Sequence, residues 1–169
     1  MRGDIVLYKS NGVWYEQMIV KVTQGPYVHV GIDYGDGKVL AALSSGIAFS
    51  AYSPSPMTTD ISLVPEHVKP EGIEAGMLWA TAQEGKHYGW VDILYQAVKF
   101  LAPNNPFQLV EKDHFDCSDF VSRYLGICGF QFPKDFQDPY ANTPNDIARI
   151  FGLIPMRENM KHKKNTGTP

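Results

Sequence analysis

Two residues far apart in the chain have the types and settings that nucleophilic chemistry needs. Cys117 lies in His114-Phe115-Asp116-Cys117-Ser118-Asp119-Phe120-Val121. Asp116 reads as a helix N-cap, Asp119 takes the capping-box position, and Phe120, Val121, Tyr124, Leu125 and Cys128 recur at helical spacing. A thiol at a helix start faces unpaired N–H groups and the positive end of the dipole, which favour thiolate and can bring its pKa to about 3.5–7.5. Cys117 is therefore a candidate nucleophile. Cys128, at the far end of the same stripe, reads as a small buried hydrophobe.

A nucleophilic thiol needs a base, and the best candidate is His29 in Tyr27-Val28-His29-Val30-Gly31-Ile32-Asp33. Strand alternation puts Val28, Val30 and Ile32 on one face and His29, Gly31 and Asp33 on the other. Gly31, without a side chain, marks a close approach by another backbone or a ligand beside the histidine.

The elements that must hold these residues follow from periodicity and caps. Strands are expected near residues 4–9, 27–34, 38–43, 46–51 and 60–64, and helices near 16–23, 71–84, 90–101, 117–126 and 144–151. Thr143-Pro144 followed by Asp146 is a strong helix start, with a cap, a proline at N1 and an acid in the first turn.

Taken in order, Gly3-Asp4-Ile5-Val6, His29-Val30-Gly31-Ile32, Gly85-Lys86-His87-Tyr88-Gly89-Trp90, Asp116-Cys117-Ser118-Asp119-Phe120-Val121 and Thr143-Pro144-Asn145-Asp146 resemble the landmarks of the NlpC-like papain superfamily. The histidine strand precedes the cysteine helix, as in the circularly permuted branch of cysteine peptidases and amidases. The resemblance spans roughly residues 3 to 150. It implies an α+β, papain-like fold with a small antiparallel sheet packed against helices, in which Cys117 attacks a carbonyl, His29 shuttles the proton and Tyr88 helps hold the oxyanion. Tyr88 also reads as an aromatic packing beside Trp90.

The family often carries a glutamate on the strand after the histidine strand to orient the imidazole, and here Ala41 stands at that place. With a three-residue Gly35-Asp36-Gly37 loop, Ile32 pairs with Leu40 and Gly31 with Ala41, leaving nothing polar opposite the ring. A two-residue Asp36-Gly37 turn sets Ser44 opposite His29 instead. Asp33, two residues along at about 6.8 Å of strand rise, is the third option.

Composition fits one compact domain: 169 residues, 44% hydrophobic and 20% charged. The domain is expected over residues 1–155, followed by a basic tail over 156–169 carrying Arg157, Lys161, Lys163 and Lys164. That tail reads as solvated or as a docking arm for a partner. A net charge of −3 and the lack of a phosphate-cradling glycine motif give no basis for nucleic-acid binding. The two cysteines, separated by a helix rising about 1.5 Å per residue, stand too far apart for a disulfide. A zinc site from His87, His114 and Cys117 lacks ligand spacing and a fourth ligand, and no cofactor is called for. Phe107, Phe130, Phe132 and Phe136, in the loops flanking the cysteine helix, read as loop packing or as groove walls.

The reaction expected is amide hydrolysis through an acyl-enzyme, with the stem peptide of bacterial peptidoglycan as the leading substrate by family analogy. Transfer or hydrolysis of fatty acyl groups is an alternative, as is a non-catalytic binding or virion-assembly module. No charged-then-apolar signal segment opens the chain and no apolar run reaches membrane-spanning length, so the expected location is cytoplasmic. An enzyme acting on the cell wall would then reach it in a phage particle, through a secretion apparatus or on lysis.

Overall fold

The protein is described by a computed structural model covering residues 1–63, 68–87, 116–136 and 142–156. It is α+β, with a five-stranded antiparallel sheet and, among the described residues, four α-helices. The strands are β1 (Ile5–Lys9), β2 (Tyr27–Gly35), β3 (Lys38–Leu43), β4 (Gly46–Ala51) and β5 (Thr58–Ile61), arranged in the order β4-β3-β2-β1-β5. The helices are α1 (Trp14–Thr23), α2 (Pro70–Thr81), α3 (Cys117–Ile127) and α4 (Pro144–Ile150), and a 3₁₀ turn covers Lys134–Phe136. The helix expected over 90–101 lies outside the described residues, as does the tail from residue 157.

Alternation along the strands gives the sheet two different faces. Ile5, Leu7, Val30, Ile32, Leu40, Ala42 and Ile47 join one apolar core with Ile73 and Met77 of α2, Phe120, Val121, Tyr124 and Leu125 of α3, and Ile147 of α4. The opposite face carries a smaller cluster of Val6, Val39 and Ala41, with Tyr8, Leu43 and Tyr52 against it. Helix α3 is pressed close to α2 because Gly72 and Gly76 lie one turn apart. A Cβ at Gly72 would strike the Cys128 carbonyl, and one at Gly76 the Cys128 sulfur and the Tyr124 ring. Tyr124 also donates its hydroxyl to the Gly3 carbonyl at 2.8 Å, tying α3 to the entry of β1.

The β2–β3 hairpin combines the two registers the sequence allows. Its turn is the two-residue Asp36–Gly37, both residues at positive φ (52° and 67°), as the twist of a tight hairpin demands. An irregularity at Tyr34 nevertheless restores the pairing of Ile32 with Leu40. The register that would have set Ser44 opposite His29 is therefore not formed. Ser44 sits exposed in the turn between β3 and β4, where Leu43 pairs with Gly46.

The loop aromatics after α3 pack on one another. Phe130 meets Phe132 edge-on at 5.1 Å and Phe151 at 5.1 Å, and Phe136 is buried. This agrees with loop packing; Phe107 lies outside the described residues.

Candidate active site

Cys117 is the first residue of α3, and its position is fixed locally by the cap. Asp116 accepts the Asp119 N–H at 2.7 Å and the Ser118 hydroxyl at 3.0 Å. The thiol is seated on β2 for a reason of strand geometry. Asp33 exchanges bonds with β1, receiving from Gly3 N–H at 2.7 Å and donating to the Asp4 carbonyl at 2.8 Å. By alternation, the N–H groups of Ile32 and Val30 point the other way, toward β3. Ile32 finds Leu40, but the β2–β3 ladder ends there. The next donor, the Val30 N–H, favours the thiolate form of Cys117. The candidate nucleophile thus lies against the peptide that joins Val30 to His29.

His29 itself pairs with Tyr8 of β1, on the sheet face opposite Val30 and Ile32. Its ring packs at 5.4 Å on the Tyr8 ring. Among the described residues no side chain hydrogen-bonds the imidazole. Ala41 is fully buried beside Val6 and Val39, so that position offers the ring nothing polar. Asp33 shares the face, but its Oδ1 accepts the Gly35 N–H at 2.7 Å and so serves the hairpin. Tyr88 lies outside the described residues, as does His114; His87 is exposed. Among the described residues no group of three or more His, Cys, Asp or Glu side chains could hold a metal ion.

The electrostatics differ from the expectation of a ready-made thiolate. Burial, and after it the neighbouring Asp116 carboxylate, push the Cys117 thiol up to about 12. The donors from Val30 and Ser118 pull the other way without offsetting this. Burial likewise pushes His29 down to about 4. Removal of the sulfur from water thus works against the helix end. At neutral pH both groups rest uncharged. Cys117 packs in the core with Val30 and Ile32, on the sheet face opposite the His29 ring, and no contact among the described residues joins the two side chains.

A residue the sequence reading missed holds the strand in place. Asn145 of α4 is fully buried, and its side chain donates to the Tyr27 carbonyl at 2.7 Å while accepting the Tyr27 N–H at 3.0 Å. The same amide donates to Thr23 Oγ1 at 2.6 Å and to the Gly25 carbonyl at 3.1 Å. It therefore takes the place of a neighbouring strand two residues before His29. Arg149 adds bonds to the carbonyls of Thr23 and Gln24 at 3.0 and 2.6 Å, and is held by Asp146 at 3.1 Å. The capping box of Thr143 and Asp146 was legible, but nothing local distinguishes a bracing asparagine from a solvated one in the first helical turn.

No family model matches the chain, and no curated protein matches it. No helix among the described residues is long and apolar enough to cross a membrane.

Proposed function

We propose that the chain is a cysteine-dependent amide hydrolase of the circularly permuted papain-like type. The observation that supports this reading is the place of Cys117 at the capped start of α3, packed against the strand that carries His29. In the proposed cycle the Cys117 proton passes to the His29 ring as sulfur bonds to the carbonyl carbon. The imidazolium then gives that proton to the leaving nitrogen as the C–N bond breaks, and water, deprotonated by the same ring, releases the acyl group. Tyr88 is the proposed oxyanion donor. The substrate class is the stem peptide of peptidoglycan, by the resemblance set out above.

A second reading, a non-catalytic binding or virion-assembly module, is favoured by the uncharged thiol and imidazole and by Ala41 in the orienting position. Incubation with muropeptides and with fatty acyl esters, followed by mass spectrometry, separates the possibilities. Cleaved muropeptides with wild type, and none with Cys117→Ala or His29→Ala, support the peptidase. Hydrolysis of the esters alone moves the substrate to acyl lipids. Stoichiometric muropeptide binding without cleavage favours the module.

A further inference from the structure

What holds His29, to which no described side chain hydrogen-bonds, follows from the face it occupies, and the answer rests on the hydrolase reading above. Across β1 the ring meets Tyr8, with centroids 5.4 Å apart and planes inclined at 44°. On its other side Tyr8 meets Tyr52 edge-on at 6.4 Å, and the Tyr52 hydroxyl donates to Asp60 of β5. The histidine thus lies at the end of a short row of aromatic rings, anchored at its far end by a carboxylate.

We propose that Tyr8 is the positioning residue for His29: its ring sets the plane of the imidazole by packing, and its π face takes up the positive charge that a carboxylate would otherwise balance. That charge exists only between two proton transfers, after the ring accepts the Cys117 proton and before it protonates the leaving nitrogen. A cation within about 6 Å of an aromatic centroid is attracted by the ring quadrupole, and more strongly where water is excluded. Tyr8 suits the task because burial, with Asp60 and Asp33 behind it, pushes its hydroxyl up to about 12, so it stays a neutral phenol throughout. The other titratable groups on this face, about Tyr8, are Asp33 on β2, Asp60 on β5 and Tyr52 after β4; from β3, among the described residues, the face carries Val39, Ala41 and Leu43.

The test reads the His29 pKa by NMR in the full chain without substrate, so it does not depend on turnover. Tyr8→Phe keeps the ring face and should leave the value within a few tenths of a unit. Pentafluorophenylalanine at position 8 keeps the shape but inverts the quadrupole, and Tyr8→Leu removes the ring. Each should lower the pKa by roughly half a unit to one and a half units. The acidic limb of kcat/KM should move with it, with Tyr8→Phe rescuing Tyr8→Leu. An unchanged pKa in the fluorinated protein overturns the proposal even if Tyr8→Leu fails to fold. So does an Asp60→Asn variant that shifts His29 as far as the fluorinated ring, since the charge would then be balanced by the carboxylate. Should wild type hydrolyse nothing while the pKa responds as stated, the coupling stands and the hydrolase reading falls.

Discussion

The two ends of α3 each carry a buried cysteine, and the two are held by different neighbours. Cys117 is 7% exposed and Cys128 3%. Burial raises both thiols, the first to about 12 and the second to about 11. Neither accessibility nor acidity tells them apart. The neighbours do. Cys117 packs against β2 near where the β2–β3 ladder ends. Cys128 fills the close approach of α3 to α2, against Gly76 and Tyr124. The Cys117 sulfur draws on donors of a neighbouring strand and of Ser118, whereas the Cys128 sulfur draws on the Tyr124 hydroxyl and the backbone of its own helix end.

The largest test of this contrast is activity. Cys117→Ala should reduce turnover on the cleaved substrate by more than about 10⁴-fold, while Cys128→Ala leaves it within about twofold. Equal losses would erase the difference between the two ends. Next comes the support beneath the N-terminal end. Asn145→Ala strands buried groups on Thr23 and Tyr27, and should cost about 2–4 kcal/mol in urea unfolding, since each unpaired buried polar group costs about 1–3 kcal/mol. At the other end, Gly76→Ala pushes a methyl into Cys128 and Tyr124 and should cost about 1–3 kcal/mol with kcat unchanged. Pairing it with Cys128→Ala should recover part of that loss, a coupling absent when Cys117→Ala is the partner.

A further test is the pH dependence of stability. A thiol raised in the folded state contributes stability that is complete below its unfolded value of about 9 and is lost as pH climbs toward 11–12. A histidine lowered to about 4 contributes stability that is complete above about 6.5 and is lost as pH falls toward 4. Urea midpoints should therefore plateau between these limits. Removing Cys117 should flatten the alkaline limb more than removing Cys128. Alkylation of Cys117 should likewise climb with pH above 9; a rate already at its plateau below pH 7 would show that substrate-free Cys117 is a thiolate.

Much of this arrangement was legible because its causes are local. All five strands and four of the helices lie within a few residues of where alternation and caps placed them, and both caps that the sequence proposed, Asp116 and Thr143, accept the expected N–H. What escaped prediction depends on distant parts of the chain. The irregularity at Tyr34 satisfies a two-residue turn and the buried pairing of Ile32 with Leu40 at once, a compromise that only the finished core demands. Tyr8 meets His29 through a register between strands separated by α1. The burial that raises the thiol is likewise decided by elements far from the helix end.

Asn145 reaches back across 118 to 122 residues to fasten the stretch that leads into His29. On the ribosome the sheet can begin to assemble long before that asparagine emerges, but this stretch cannot be locked until α4 has been made. The histidine strand, among the first pieces synthesised, is thus among the last to be secured. A growing chain would hold this strand loosely until translation has passed the closing helix, so its final locking should arrive late and in one step.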